Sequence, residues 1–331
     1  MTEEKSIYEQ MSDRIMTSGS KMIPQLFEFI ANKEEAILLM ATPGTAEELS
    51  EKIGKDKETT QKMLDELFHK GLIFKSKKET GTIYRMCRDL VQFHDATILW
   101  PEAPKSYHDM WLKYMNEEWP GYAKIVEQVI KDPFTRIVPI GETITPESKI
   151  EAIDDVMTIL DNARRFAVTN CTCRTIDGKC GAPLEVCLQV DKSADYSIER
   201  GTGRELTRDE AKALIRKADD DGLVHVIMNS KSKQNFICNC CSDCCQTLPI
   251  FINEGVKIVA PSRFSARVDA DLCTGCESCI ERCFFGALAM TEDLTAAVDP
   301  EKCMGCGLCV PVCPAEAIEL YETRESESIP A

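Results

Sequence analysis

Cys273-Thr274-Gly275-Cys276-Glu277-Ser278-Cys279-Ile280-Glu281-Arg282-Cys283 is echoed by Cys303-Met304-Gly305-Cys306-Gly307-Leu308-Cys309-Val310-Pro311-Val312-Cys313-Pro314, offset by thirty residues, and the two runs hold eight of the 18 cysteines. Three thiolates spaced by two residues can close around three corners of one iron-sulfur cube, leaving the fourth corner for a cysteine from elsewhere. The flanks repeat as well. Val268-Asp269 matches Val298-Asp299, and Gly286-Ala287-Leu288 matches Glu316-Ala317-Ile318, so the duplicated unit extends beyond its cysteines. Zinc also takes four cysteines, but usually in C-x-x-C knuckles separated by a longer loop, so iron-sulfur chemistry is the better match.

The segment from roughly 266 to 321 resembles a bacterial-type two-cluster ferredoxin. In that family the fourth cysteine of each run serves the other cluster. The resemblance therefore implies one [4Fe-4S] cluster on Cys273, Cys276, Cys279 and Cys313, and a second on Cys303, Cys306, Cys309 and Cys283. One departure stands out: Phe284 follows the first run where Pro314 follows the second. Proline at that place mainly shapes a turn, so both clusters are expected.

A chain of 331 residues should form two or three domains. Its 44% hydrophobic and 28% charged residues are those of an ordinary globular protein. Apolar runs such as Ala36 to Ala41 fall far short of the roughly 20 residues a bilayer-spanning helix needs, so no membrane insertion is expected. Met1-Thr2-Glu3-Glu4-Lys5 has no leader pattern, and a cytoplasmic location is expected. So many cysteines in an unexported chain point to metal ligation and suit an anaerobic host. Net charge is −16, of which residues 266–331 supply −9, with four basic and 13 acidic residues. Such a surface keeps the protein soluble and can steer a basic redox partner protein.

Residues 22–88 read as a winged helix. A helix over Pro24 to Met40 carries an apolar stripe of Leu26, Phe27, Ile30, Ile37 and Leu38. A short helix, Thr45 to Ile53, starts at a Thr45/Glu48 capping box and ends at Gly54. The next helix, Lys57 to Lys70, is closed by Gly71, and strands at 72–74 and 82–86 make the wing. Winged helices often bind DNA through the last helix. Here Lys55 to Lys70 carries four basic and four acidic residues, which suits phosphate poorly, so protein docking or a homodimer is favoured over DNA. Cys87 reads as a buried small hydrophobe. Residues 91–135, with Trp100, Tyr107, Trp111, Tyr114, Trp119 and Tyr122, read as a helical connector packed between domains.

The central segment carries nine more cysteines. A strand over 136–140 and a helix over 146–164 precede the strand 166–169, which delivers Cys171, Cys173, Cys180 and Cys187. A capping box at Thr207/Glu210 opens a helix to Gly222, and a strand, Leu223 to Met228, leads toward Cys238-Asn239-Cys240-Cys241-Ser242-Asp243-Cys244-Cys245. That αβ connection can bring the two groups together. Nine thiols suffice for two cubanes with one to spare. The division read from spacing is Cys171, Cys173, Cys180 and Cys187 for one metal centre, and Cys238, Cys241, Cys244 and Cys245 for another, with exchange of ligands or one catalytic cysteine as open alternatives. One or two further [4Fe-4S] clusters are expected, with structural zinc the alternative. His225 reads as a core histidine, and Arg174, Arg200 and Arg204 as donors to sulfides or to an anion. The segment is similar to a poorly characterised group of iron-sulfur proteins of anaerobes, which carries no activity with it.

The expected fold class is α+β multidomain: a winged-helix-like domain (1–90), a helical aromatic-rich connector (91–135), a cysteine-rich α/β metal domain (136–262) and a dicluster ferredoxin-like module (263–331). The expected function is transfer of low-potential electrons to a partner or to the central site. An oxidoreductase acting at the central cluster and a redox-sensing DNA-binding regulator are the alternatives.

Overall fold

A computed structural model describes residues 4–331 apart from Thr80, Lys149 and Lys233. The opening Met1-Thr2-Glu3 and the hairpin turn at Thr80, both used in reading the sequence, lie outside the described residues. The fold is a mixture of helices and mostly antiparallel sheets in two compact units. The first runs to Pro120 and takes in Thr175–Asp177 and Glu199–Thr202; the second comprises Gly121–Arg174, Gly178–Ile198 and Gly203–Ala331.

The first unit begins with helices Ile7–Arg14, Ile23–Ile30 and Lys33–Ala41. The sequence pattern predicts one helix over 24–40; the chain instead breaks at Ala31-Asn32. Asn32 restarts the helix as a reciprocal cap with Glu35, and its two satisfied backbone donors compensate for the interrupted ladder. Rotation at the break leaves Ile37 44% exposed, off the expected stripe. Helix Ala46–Ile53 has the Thr45/Glu48 capping box and left-handed Gly54. Helix Lys57–His69 leads into the antiparallel pair β1 (Ile73–Lys78) and β2 (Gly81–Met86). Helices Leu90–Ile98 and Lys105–Glu117 follow. The middle of the aromatic run lies in the core of this unit. Phe27 stacks on Phe93 at 4.0 Å, Phe93 meets Trp111 edge-on at 5.0 Å, and Tyr107, Trp111 and Tyr114 are buried. Arg200 seals this unit by donating to the carbonyls of Phe68 (2.9 Å) and Ile73 (2.7 Å), its guanidinium lying over the rings of Phe68 and Phe74. Cys87 is buried, and burial pushes its thiol up to about 12.

The second unit is organised by seven strands: β3 (Thr135–Ile137), β4 (Phe166–Asn170), β5 (Glu185–Val190), β6 (Gly203–Leu206), β7 (Val224–Met228), β8 (Phe236–Cys240) and β9 (Val259–Ala260). Their order is β6-β4-β5-β8-β7-β3-β9, antiparallel except where β3 meets β9. One face buries Val168, Leu188, Val190, Ile227 and Ile237 against helices Val156–Asn162 and Arg208–Asp220. Each fully buried aliphatic side chain contributes roughly 1.5–3 kcal/mol. The helix expected over 146–164 is reduced to Val156–Asn162. Asp155 explains this: its carboxylate accepts from the backbone of Gly141 (2.7 Å), Met157 (3.0 Å) and Thr158 (3.0 Å), fixing the helix start and tying it to a preceding loop. The Thr207/Glu210 capping box opens the longer helix. Arg263 pairs with buried Asp154 and with Glu322, joining the carboxy-terminal segment to this loop. No described helix is long and apolar enough to cross a membrane.

Candidate metal centres

After the sheet come β10 (Phe264–Val268), β11 (Leu288–Met290), β12 (Ala296–Val298) and β13 (Ile318–Glu322), with β10 antiparallel to β13 and β11 antiparallel to β12. The sequence repeat becomes a repeat of hydrogen bonds. The amide of Ala266 donates to Cys303 Sγ and that of Ala296 to Cys273 Sγ, each at 3.4 Å. Likewise Ala287 N–H donates to Cys283 Sγ at 3.4 Å and Ala317 N–H to Cys313 Sγ at 3.3 Å. Donors to sulfur favour thiolate and tune a cluster's potential. Gly275 (φ +68°) and Gly305 (φ +64°) occupy equivalent turns inside the two runs. A Cβ on Gly305 would overlap the Phe264 carbonyl oxygen, which only glycine avoids.

Cys273, Cys276 and Cys279 line one hollow together with Cys313, the last cysteine of the other run. Cys283, the last cysteine of the first run, lies near enough to Cys306 and Cys309 of the second run for its charge to raise both thiols, and Cys279 also reaches Cys309. Residues 266–320 match the family model of the 4Fe-4S dicluster domain. No curated protein and no solved structure matches the chain. The dicluster segment is an iron-sulfur, ferredoxin-like module, and its donor set fits the group: eight thiols in two repeated runs, with backbone N–H groups donating to sulfur in each. The two runs differ in environment. Cys276 is exposed and its thiol is held below the usual range by hydrogen bonds at Ser278. Burial pushes Cys306 up to about 12, and Cys309 above its usual value.

The central thiols are brought together by neighbouring strands. Cys187 lies on β5, and Cys238 and Cys240 on the adjacent β8, while the end of β4 leads into Cys171 and Cys173. Six cysteines form a closed ring of thiol contacts. Cys171 touches Cys173 and Cys187; Cys173 touches Cys245; Cys245 touches Cys240; Cys240 touches Cys238; and Cys238 touches Cys187. Hydrogen bonds from their neighbours hold Cys171 and Cys245 well below the usual thiol range, and the donating Cys173, Cys187 and Cys240 are raised. The remaining three, Cys180, Cys241 and Cys244, bring their sulfurs within 4.8 Å of one another.

This grouping of six and three differs from the division read from spacing. Cys180 leaves its sequence neighbours for Cys241 and Cys244, and Cys238 and Cys245 join Cys171, Cys173 and Cys187. Adjacent cysteines explain it, because Cys240/Cys241 and Cys244/Cys245 each send one member to each group. Cys240, left out of both sequence groups, closes the ring.

Polar groups frame the field. Arg174 donates to the carbonyls of Asn239 (2.7 Å) and Pro183 (2.9 Å) and contacts Cys241; although burial opposes its charge, Cys171 and Cys241 raise its pKa. Asn239, between Cys238 and Cys240, bonds His225 Nδ1 (2.6 Å) and donates to the Val186 carbonyl (2.5 Å). His225 Nε2 lies 3.5 Å from Asp219, so the buried imidazole is built into the sheet as expected of a core histidine. The other two arginines are elsewhere than expected. Arg200 belongs to the first unit, and exposed Arg204 pairs with Glu185 at 2.8 Å. Phe285 and Asn239 carry no signal in the sequence, whereas Phe284 is marked there only as a departure from the proline of the second run.

Proposed function

We propose that the chain passes low-potential electrons from a redox partner through the dicluster domain to the central thiol field. The observation that carries this reading is a shared apolar cluster. Cys238, Cys240 and Cys245 of the central ring pack with Cys306, Phe284 and Phe285 against Val224, Val226, Leu248, Met304 and Leu308. When bound, [4Fe-4S] clusters supply one-electron chemistry whose potential follows hydrogen bonding and solvent exposure. The chain's own residues set both. Exposed Cys276 offers an outer face, the acidic surface of 266–331 suits a basic partner, and the aromatic side chains exclude water on the inner side. Arg282 holds the two parts in register by donating to the Asp219 and Asp220 carbonyls. Cys273, Cys276, Cys279 and Cys313 are assigned to the outer cluster, and Cys303, Cys306, Cys309 and Cys283 to the inner one.

The test is anaerobic iron and sulfide analysis with EPR. The reading expects about eight irons and eight sulfides from the dicluster domain, plus metal in the central field. Dicluster signals unaccompanied by any central metal would reduce the protein to a simple ferredoxin.

The reading keeps four segments: a winged-helix-like domain (1–90), an aromatic connector (91–135), a cysteine-rich metal domain (136–262) and the dicluster module (263–331). For the first, the order of short helix, helix Lys57–His69 and the β1/β2 pair supports a winged helix. Its lysines argue for docking protein rather than DNA, since Lys55, Lys57, Lys62 and Lys70 pair with Glu34, Glu47, Glu58 and Glu35.

A further inference from the structure

We propose that Cys180, Cys241 and Cys244 hold a single divalent transition-metal ion of the zinc and ferrous class, with the fourth coordination position open to a small external donor. The site goes beyond the electron route and does not depend on it.

Spacing is the first argument. A tetrahedral ion with metal–sulfur bonds of about 2.3 Å sets its thiolates about 3.8 Å apart. The three sulfurs here all lie within 4.8 Å of one another, whereas no three of the eight dicluster cysteines do so among the described residues. Cubane ligands stand on separate irons and are held wider, and the dicluster cysteines show that wider setting in the same chain. The ring of six is also open by this measure, since its thiols touch in sequence around a circuit without three converging on one point.

Coordination number is the second. Among the described residues no fourth histidine, cysteine, aspartate or glutamate joins the trio. Three protein ligands with one position left to water or substrate is the pattern of reactive rather than structural zinc sites. Cys241 and Cys244 are buried, while Cys180 is half-buried, so solvent reaches the trio at Cys180.

The surroundings complete the site. The Cys244 N–H donates to Cys241 Sγ at 3.3 Å, and the backbone at Ala182 bonds the Cys180 thiol. The Arg174 side chain contacts Cys241. Three thiolates around a dication leave one net negative charge, which the guanidinium offsets, and such outer partners orient and tune a metal's ligands.

The test uses the full chain purified without oxygen, wild type and Cys180→Ser. Metal and sulfide are counted per chain, with dicluster EPR read on the same samples. The proposal expects the variant to lose about one zinc or one iron per chain, with sulfide and dicluster signals unchanged. Loss of several irons together with sulfide would mean a cluster at the trio and would overturn it. So would a folded variant that keeps its full metal content. If the variant does not fold, the wild type decides alone. Zinc-edge absorption with three sulfurs and one lighter atom, or a Mössbauer signal of one high-spin ferrous ion, supports the site. Finding neither refutes it. Because the dicluster EPR is read separately, failure of this site leaves the electron route standing, and failure of the route leaves this site standing.

Discussion

Alanine at Gly305 should cost the dicluster domain its inner cluster, while alanine at Gly286 should cost little. Both glycines have left-handed backbones, φ +64° and +61°. A Cβ in that conformation carries about 1–2 kcal/mol by itself, and at Gly286 it meets nothing within 4 Å. At Gly305 it would also overlap the Phe264 carbonyl oxygen and Ser262 Oγ, groups buried in and beside β10. Neither neighbour can withdraw, so an overpacking cost of about 1–3 kcal/mol adds to the first, for a total of about 2–5. Gly275, the repeat's equivalent, falls between. Its Cβ would come 2.5 Å from the carbonyl oxygen of Leu294, a residue 73% exposed in a loop and therefore able to shift. The assay is anaerobic iron release to a chelator, followed by EPR. The expected order of release is Gly286→Ala slowest, then Gly275→Ala, then Gly305→Ala, with the inner-cluster signal lost first in the last variant. Gly305→Ala releasing iron no faster than Gly286→Ala would refute the reasoning.

Other outcomes follow from the same structure. Arg200→Ala removes two buried bonds to carbonyls and two ring contacts; a loss of about 3–5 kcal/mol should appear as faster hydrogen exchange in residues 68–74, with metal content unchanged. In metal-free protein, alkylation near pH 8 should label Cys276 well before Cys87. The Cys276 thiol is lowered by hydrogen bonds at Ser278 and is exposed, so it ionises before Cys87, which burial keeps protonated until about 12. Peptide mapping that finds Cys87 labelled first would contradict this. Asn239→Leu strands His225 Nδ1 and the Val186 carbonyl. It should cost roughly 2–4 kcal/mol and loosen the central metal while sparing the dicluster EPR.

How much the sequence reveals depends on how local the determinant is. The dicluster cysteines are spaced at short, repeated intervals, and the repeat of thirty residues reappears as paired N–H to sulfur bonds at Ala266 and Ala296. Thr45, Thr207 and their glutamates announce helix starts because a cap spans four residues. The helix expected over 146–164 is shortened by Asp155, whose bond to Gly141 reaches across fourteen residues. The central grouping is the least legible. Which face of β8 carries Cys238 and Cys240, and which cysteine of each adjacent pair turns toward Cys180, depend on the β5 to β8 register set by Leu188 and Ile237. No spacing rule contains that register. Phe284 is an intermediate case: the sequence marks it as odd, and only the shared packing with Cys238, Cys240 and Cys245 gives the oddity a reason.

The most direct test of the electron route is rapid-freeze EPR on Cys306→Ser beside the wild type, each mixed with a low-potential donor under anaerobic conditions. The account predicts that the cluster beside exposed Cys276 is reduced at the wild-type rate in both, while reduction of the central field stalls in the variant. A central field reduced equally fast without Cys306 would contradict it.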